Sequence, residues 1–256
     1  MSLEVLLSTV NLNKKDLDKM NITSNCTVIN QCNKNDYTKY KNFNIYSYKE
    51  KGTALSRNRG LSHVSGDIIL LCDDDVVYNK DYEKLVISAF KDNKDADIIT
   101  FNLNSPYRKV KPNKKNKRLY IYNSLRYSSS NIAFRKDSII NNSISFNTLF
   151  GSNAKYGSGE DTLFIVEALK KGLRVYSSTY NIGTIYHKKS IWFKGYNKRY
   201  FFDKGALFTA ISYKYRHLLI LQYLLRHKEV LSDVGFYSSY KEMVRGSNDY
   251  KERYLK

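Results

Sequence analysis

Three adjacent carboxylates, Asp73, Asp74 and Asp75, are the residues of this sequence best suited to chemistry. They follow the short apolar run 68–72, which is typical of a buried strand in a parallel sheet. Like charges this close repel one another, so folding gains nothing from the triplet. In an open α/β sheet, ligands bind just beyond the carboxyl ends of the strands. The triplet indicates a ligand site, although an acidic turn capping the next helix explains these residues alone equally well.

A hard divalent cation is the ligand that such carboxylates favour. Along an extended segment, residues i and i+2 point the same way, so we expect Asp73 and Asp75 to converge on one ion. Oxygen ligands suit Mg²⁺ or Mn²⁺, which commonly arrive with a substrate diphosphate.

A second acidic pair, Glu160 and Asp161, follows the glycine-rich turn Gly157-Ser-Gly159. The glycines permit unusual backbone angles and the close approach of a ligand. A carboxylate in the first turn of a helix also gains from the helix dipole, and most such pairs are simply acidic helix starts. A metal-binding group and a separate carboxylate base are, however, what a metal-assisted transfer to a hydroxyl requires.

Alternating strands and helices must position these two acidic motifs. Strands are predicted over 3–10, 26–30, 43–48, 67–72, 97–103, 131–135 and 174–177, and helices over 53–64, 81–91 and 161–171. Thr53 or Ser56 is available as the N-cap of the first of these helices. The alternation predicts an α/β fold, a parallel sheet with helices on both faces.

The length of 256 residues allows one α/β domain plus an appendage. From about residue 190 the sequence becomes aromatic, basic and helical in pattern to about 229, and is weakly patterned thereafter. This change predicts one domain over 1–189 and a helical extension over 190–256. Cys26, Cys32 and Cys72 show no CxxC spacing and are expected to be reduced, buried thiols of a cytoplasmic protein. We expect neither a signal peptide nor a membrane span.

The formal net charge of +19 calls for an anionic partner or a solvated basic surface. The segment 108–118 alone holds seven Lys or Arg residues and no acid. Nucleic acid, anionic lipid and phosphorylated substrates are all suitable counterparts. For any single lysine run, a solvated surface is the simpler explanation.

Taken in order, the motifs resemble those of family 2 glycosyltransferases with the GT-A fold. The matching segments are Thr9-Val10-Asn11, Gly52-Thr-Ala-Leu-Ser-Arg57-Asn58-Arg59-Gly60, the strand with its acidic triplet, Gly159-Glu160-Asp161 and His187. The resemblance covers about residues 3–190. It implies a Rossmann-like sheet that binds a nucleotide-diphosphosugar. It also implies an inverting transfer from a UDP-sugar to an acceptor hydroxyl, in an enzyme of the bacterial surface-polysaccharide type.

The resemblance also assigns roles to individual residues. The triplet matches the DXD motif, in which the first carboxylate faces the ribose and the last binds Mn²⁺ or Mg²⁺. Asp161 matches the catalytic base, with Glu160 as its neighbour in the motif, and His187 matches a C-terminal histidine that adds a metal ligand. The nucleotide-binding positions are Thr9, Asn11, Gln31, Arg57, Asp73 and Asp74, and the metal positions are Asp75 and His187.

Two departures from the family pattern concern the nucleotide base. The first strand ends Ser8-Thr9-Val10-Asn11, without the usual proline and aromatic ring. The second strand ends with Asn30 and Gln31, where the family usually has an aspartate that reads uracil. An amide can hydrogen-bond a pyrimidine through both its NH₂ and its C=O groups, so Gln31 or, as a weaker candidate, Asn30 can substitute. The identity of the base stays open, with UDP as the default.

The C-terminal segments 191–202 and 214–226 interleave aromatic, basic and apolar residues. This mixture favours the membrane–water interface, and it predicts peripheral binding at the inner face of the plasma membrane, where a lipid-linked saccharide would be the acceptor. Packing on the catalytic domain or a homodimer interface explains the same residues equally well.

Two other classes of protein stay open. One is a nucleic-acid-binding protein, which would explain the charge but not the acidic motifs. The other is a non-catalytic GT-A-like assembly partner.

Overall fold

The computed structural model describes residues 1–107, 109–186 and 195–255. As far as it describes them, the chain forms two compact units. The first holds Met1–Phe146 and Phe164–Lys188, and the second holds Asn147–Leu163 and Lys189–Lys256. The predicted domain boundary between residues 189 and 190 lies outside the described residues and stays a prediction.

The first unit is built on a mixed sheet, with ten strands among the described residues. The strands are β1 (Leu3–Val10), β2 (Asn25–Gln31), β3 (Asp36–Tyr40), β4 (Phe43–Tyr48), β5 (Ile68–Asp73), β6 (Val76–Tyr78), β7 (Ile98–Asn104), β8 (Lys117–Leu119), β9 (Ile132–Arg135) and β10 (Val175–Ile185). Their order is β3-β4-β2-β1-β5-β9-β7-β10-β6, with β8 beside β10.

Strand direction decides which ends of the strands meet. β4, β2, β1 and β5 are parallel neighbours. β9 is antiparallel to both β5 and β7, and β10 is parallel to β7. Six strands therefore end at one edge of the sheet, and this is the edge where ligands bind in open α/β sheets.

Helices cover both faces of the sheet. Before the second unit's helices the chain forms α1 (Lys14–Leu17), α2 (Thr53–Leu61), α3 (Tyr82–Asp92), α4 (Ile121–Ser124), α5 (Lys136–Asn141) and α6 (Glu160–Lys170). One apolar core includes Val5 of β1 and Phe90 of α3, and the other includes Leu6 of β1, Ala54 of α2 and Phe164 of α6. Neighbouring residues of β1 thus serve opposite faces, as the alternation of a strand requires. The predicted α/β fold with helices on both faces is confirmed.

The predicted elements agree with the structure where an apolar pattern marks them. β1 and β4 have the predicted bounds, and most of the others differ by one residue at an end. β3 was not predicted because it is an edge strand whose residues are all exposed or half-buried, which leaves no apolar alternation to detect. β10 runs eight residues beyond its predicted end.

The second unit is helical, with α7 (Lys198–Ile211), α8 (Arg216–Arg226) and α9 (Phe236–Tyr254). A Cβ atom added at Gly205 of α7 would overlap the carbonyl oxygen of Met243, and one added at Gly246 of α9 would overlap that of Phe202. The two helices therefore cross backbone against backbone, which only glycine permits at the contact points.

The last residues, which are weakly patterned in the sequence, form α9, a helix of 19 residues within the predicted helical extension. Its buried face is spaced like a helix but consists mainly of small and polar residues. These are Ser239, Glu242, Met243, Gly246, Ser247 and Tyr250. Close packing through small residues leaves few apolar side chains by which the sequence could mark this helix.

Among the described residues, no helix is both long and apolar enough to cross a membrane. The three cysteines are free thiols, as expected. Cys26 and Cys72 are buried, whereas Cys32 is half-buried just beyond β2.

Candidate active site

The register of the parallel strands brings residues that are distant in sequence to one edge of the sheet. Ser8 of β1 pairs with Asp73 of β5. On the other side of β1, Thr9 pairs with Asn30 and Val10 pairs with Gln31 of β2. The predicted nucleotide-binding residues of β1, β2 and β5 therefore lie side by side.

Asp73 is held on both of its carboxylate oxygens. Arg57 of α2 donates from Nη2 to Oδ1 at 3.0 Å. Ser129 and Ser130 donate from their hydroxyls to Oδ2 at 2.9 and 2.8 Å. Arg57 also donates to the Ser129 hydroxyl at 2.7 Å, and its guanidinium lies over the Phe146 ring. Arg57 is only 3% exposed, so a buried cation fixes the position of the carboxylate.

The same contacts keep Asp73 ionised. Burial alone would raise the pKa of Asp73, but the charge of Arg57 and the hydrogen bonds from Ser130 and Ser129 outweigh it and hold the pKa below its usual value. Asp73 is therefore a fixed anion at neutral pH.

The other two carboxylates of the triplet do not continue the strand. β5 ends at Asp73 and the chain turns at Asp74 and Asp75, so the extended backbone expected through Asp75 was wrong, while the convergence of Asp73 and Asp75 on one ion stays a prediction. The i and i+2 rule requires extended backbone. The exposed Asp74 accepts a hydrogen bond from the Thr9 hydroxyl at 2.6 Å. The half-buried Asp75 accepts a backbone hydrogen bond from Tyr186 at 2.8 Å.

The structure separates the two amides that were candidates for reading the base. Asn30 accepts from the Leu12 N–H at 2.9 Å and donates to the Ser47 hydroxyl at 3.1 Å, so both ends of its amide serve the fold. Gln31 accepts from the Gly52 N–H at 2.6 Å through its carbonyl oxygen. That bond uses the C=O end of Gln31, a residue that is 5% exposed, and the role of Gln31 toward the base stays a prediction.

Asn11 follows β1 and is exposed, with a positive φ of 50°. Asparagine tolerates this left-handed conformation better than most residues. Its N–H donates to the Gln31 carbonyl at 3.0 Å, which continues the pairing of β1 and β2 for one more residue. The loop after β1 is thereby fixed against the end of β2.

Gly52, rather than Thr53 or Ser56, is the N-cap of α2, so the predicted cap was wrong. Its φ of 142° suits glycine, because a side chain is strained there. Ser56 is instead fully buried and shares a hydrogen bond of 2.7 Å with the Ser8 hydroxyl. This bond ties α2, which carries Arg57, to the end of β1.

The sequence reasoning missed Ser129 and Ser130. They lie in a short 3₁₀ turn, Ser129–Asn131, directly before β9. Because β9 is antiparallel to β5, the beginning of β9 lies at the edge where β5 ends. The run of hydroxyl residues 128–130 before an apolar strand is the available signal, but it becomes informative only when the direction of β9 is known.

The Gly-Glu-Asp motif belongs to the second unit, where α7 holds its turn. The Gly157 N–H donates to Oδ2 of Asp203 at 2.9 Å. Gly159 has a φ of 120° and lies against Leu207, where a Cβ atom would come within 2.6 Å of a methyl carbon. The turn therefore needs glycine at Gly159 for both conformation and space.

Glu160 and Asp161 differ in accessibility. Glu160 is 8% exposed, its carboxylate accepts from the Gly159 N–H at 3.1 Å, and it lies close to Gly151. Asp161 is half-buried in the first turn of α6. Asp161 is thus the more exposed carboxylate of the pair, while Glu160 is part of the packing.

Charged side chains of α7 surround this turn. Arg199 lies 2.9 Å from Oδ1 of Asp203. Burial raises the pKa of Asp203, although the Gly157 N–H and Arg199 oppose the shift. Burial lowers the pKa of Lys204, and the nearby charges of Glu160 and Asp203 oppose this. The turn therefore sits in a partly desolvated cluster of mixed charge, where electrostatic interactions are stronger than in water.

The predicted metal positions are only partly described. His187 lies outside the described residues, and Asp75 is at the turn after β5. Within the described ranges, no group of three or more His, Cys, Asp or Glu residues could hold a metal ion.

The family model described as glycosyl transferase family 2 matches residues 27–153. This segment includes β2, α2, β5 with its triplet, and the two serines before β9. Together with the α/β fold, the match shows that the chain contains a family 2 glycosyltransferase domain of GT-A fold, as the motifs predicted.

Solved structures of glycosyltransferases share the fold. S. aureus TarS 1-349 in complex with UDP-GlcNAc is 15% identical with a TM-score of 0.68, over 98% of this chain and 81% of that one. The same protein in complex with UDP gives 16% and 0.63, over 100% and 91%. The mannosyltransferase PcManGT from Pyrobaculum calidifontis, in complex with GDP-Man and Mn²⁺, gives 12% and 0.55, over 98% and 75%. No curated protein sequence matches the chain.

Proposed function

We propose that this enzyme transfers a sugar from a UDP-sugar to an acceptor hydroxyl with inversion at the anomeric carbon. The observation that carries the proposal is the strand-end cluster, in which Arg57, Ser129 and Ser130 hold an ionised Asp73 at the edge where ligands bind. A folding chain has no need of a carboxylate held so firmly beside two others.

The donor nucleotide is assigned to this cluster. An ionised carboxylate offers about four acceptor sites. Arg57, Ser129 and Ser130 use three of those on Asp73, so one remains for a ribose hydroxyl. The NH₂ group of Gln31 suits a carbonyl oxygen of uracil, since Gly52 already occupies its C=O group.

Thr9, Asn11 and Asp74 are the remaining residues that we assign to nucleotide binding. Thr9 links the end of β1 to Asp74 through its hydroxyl. The UDP-GlcNAc and UDP complexes of TarS, which has the same fold, support UDP as the donor nucleotide.

A divalent cation, Mn²⁺ or Mg²⁺, is assigned to Asp75 and His187. A cation that arrives on a substrate diphosphate needs only one or two carboxylates from the protein, so Asp75 would be enough to hold it without a three-ligand centre. Bound there, the cation would neutralise charge on the diphosphate. The Mn²⁺ in the PcManGT complex supports this assignment.

Asp161 is the proposed general base. It takes the proton of the acceptor hydroxyl while the oxygen forms a bond to the anomeric carbon. The bond from that carbon to the diphosphate oxygen breaks, and the nucleoside diphosphate leaves with the electron pair. Glu160 stays buried and holds the turn through its bond to Gly159.

The acceptor is proposed to be a lipid-linked or polymeric saccharide of capsule, exopolysaccharide or lipopolysaccharide synthesis. The net charge of +19 supports it, because such acceptors carry phosphate groups or lie on anionic membranes. The particular sugar that is transferred depends on the shape of the binding pocket and does not follow from the reaction class.

A panel of nucleotide-sugars tests the proposal. The purified chain is incubated with UDP-, GDP- and dTDP-sugars and Mn²⁺, and nucleotide release is measured with and without EDTA. We expect EDTA-sensitive release from a UDP-sugar. Release from a GDP-sugar alone would contradict the base assignment, and release insensitive to EDTA would contradict the metal assignment. No release and no calorimetric nucleotide binding would favour the non-catalytic or nucleic-acid-binding alternatives.

A further inference from the structure

Helix α8 has two apolar faces. Ile220 and Leu224 are fully buried within the second unit. On the other side, Leu218, Leu221 and Leu225 are 63%, 43% and 55% exposed. With 3.6 residues per turn, the three exposed leucines fall within about 60° of one another around the helix. We call these three residues the outer face of α8.

An aligned row of exposed leucines is unusual for a helix that already packs its inner side. Scattered exposed apolar residues need no explanation, but a contiguous apolar stripe commonly marks an interaction surface. Tyr215, at the beginning of the helix, is 54% exposed and lies one turn before Leu218. Its ring extends the stripe at the end where an amphipathic aromatic side chain suits an interface.

The charged residues of the segment 204–228, which contains α8, are all basic, and the exposed Glu229 follows them directly. Between Asp203 and Glu229 the sequence contains five Lys or Arg residues and no acidic residue. Lys214 precedes the helix, Arg226 ends it and Lys228 follows it, and all three are exposed. Lysine and arginine on both sides of an apolar stripe are the arrangement of helices that lie in a membrane interface.

We propose that the outer face of α8 docks on an anionic lipid surface, with the three leucines entering the acyl boundary and the flanking cations on the phosphates. Charge complementarity favours a lipid surface over a second copy of the chain as the partner of the outer face of α8. A two-fold interface through α8 would bring two acid-free, basic segments together, and like charges at an interface oppose association. The docking needs no nucleotide-sugar, so it can be tested independently of the proposed reaction.

Vesicle co-sedimentation of the full chain tests the proposal, with phosphatidylglycerol vesicles compared with phosphatidylcholine vesicles at low salt. We expect binding to the anionic vesicles only. Leu218→Ser should lower the partition coefficient about tenfold, since a buried leucine side chain is removed from the acyl region. The matched control is Ile140→Ser, which removes an exposed aliphatic side chain of α5 in the first unit and should leave binding unchanged.

The charge contribution is tested separately. The double variant Lys214→Gln with Lys228→Gln should weaken binding about fivefold for each lysine removed. Lys80→Gln with Lys94→Gln removes two exposed lysines of the first unit and is the control. Equal losses in both pairs would overturn the assignment to α8.

Two further results would also overturn the proposal. One is equal binding to neutral and anionic vesicles, or binding to neither. The other is a dimer in sedimentation equilibrium that Leu218→Ser converts to monomer, which would assign the outer face to a second copy. Circular dichroism and thermal unfolding of each variant establish that it is folded before binding is compared.

Discussion

The two acidic motifs of this chain are positioned in different ways. Asp73 is fixed by residues from α2 and from the turn before β9, which lie 16 to 57 positions away in the sequence. The Gly157–Asp161 turn is contiguous, and helix α7 holds it from one side through Asp203 and Leu207. Sheet register builds the first motif and helix packing builds the second. We therefore expect substitutions around Asp73 to change nucleotide binding, and substitutions in the Gly157–Asp161 turn to change the transfer rate.

Asp161→Asn should have the largest effect, because it removes the proposed base while its neighbours keep their contacts. We expect the transfer rate to fall about 10²–10⁴-fold, with the dissociation constant for UDP unchanged. Turnover and calorimetric UDP binding are measured on the same preparation. Glu160→Gln is the control, since glutamine retains an oxygen to accept from Gly159. Near-normal turnover of Asp161→Asn would falsify the assignment of the base.

Gly246→Ala should destabilise the helices of the second unit without touching the strand-end cluster. The new Cβ would overlap the Phe202 carbonyl oxygen, so the free energy of unfolding should fall by about 3 kcal/mol. Chemical denaturation measures it. Asn248→Ala, at an exposed position of the same helix, is the control. Glycine to alanine ordinarily stabilises a helix, so a gain in stability at Gly246 would contradict the close crossing.

Asp249 supplies a pH-dependent test within the second unit. Burial opposes ionisation, but hydrogen bonds from Lys155, Arg253 and Tyr156 lower the pKa of Asp249 to about 2. Because the folded pKa is depressed, the stabilisation is complete well above the unfolded value of about 3.9 and is lost as the pH falls toward 2. Asp249→Asn should therefore cost about 2 kcal/mol at neutral pH and almost nothing at pH 2.

Urea denaturation of wild type and Asp249→Asn across this pH range provides the measurement. UDP affinity of the variant at neutral pH is the cross-check, and we expect no change. A constant difference in stability at all pH values would mean that Asp249 acts through packing rather than charge. A loss of UDP affinity would contradict the expectation that the two regions control different properties.

Arg57→Met should produce the smallest effect of the four substitutions, and it should change only nucleotide binding. It removes one charge-assisted hydrogen bond to Asp73, which is half-buried and therefore partly screened, so UDP affinity should fall about tenfold. Arg59→Met, on the same helix, removes an arginine that is half exposed and pairs with Glu50. Equal loss of affinity in both variants would mean that general charge, rather than the position of Asp73, governs binding.

Much of the fold was predictable because its signals are local. The apolar runs of β1, β4 and β5 and the helical spacing of α3 depend on neighbouring residues alone. β3 and α9 were not predictable in this way, because one is an exposed edge strand and the other packs through small residues such as Gly246.

The same distinction applies to the candidate site. Asp73, Asp74, Asp75, Glu160 and Asp161 were found because acidic residues after an apolar run or a glycine turn stand out locally. Ser129 and Ser130 were not found, because their role depends on β9 being antiparallel to β5. The extended backbone that the alternation assumed through Asp75 was wrong, because the strand ends at Asp73, two residues earlier.

The sequence by itself determined the α/β class, the family and the residues that carry charge at the ends of its elements. This was possible because periodicity and motif spacing can be recognised in the sequence without knowing which residues are in contact. Only the folded structure showed that Asp73 is held by Arg57 and two serines, that both ends of the Asn30 amide serve the fold, and that Glu160 is buried beside a half-buried Asp161. Those outcomes depend on strand register and helix packing, which bring together residues that the sequence keeps apart.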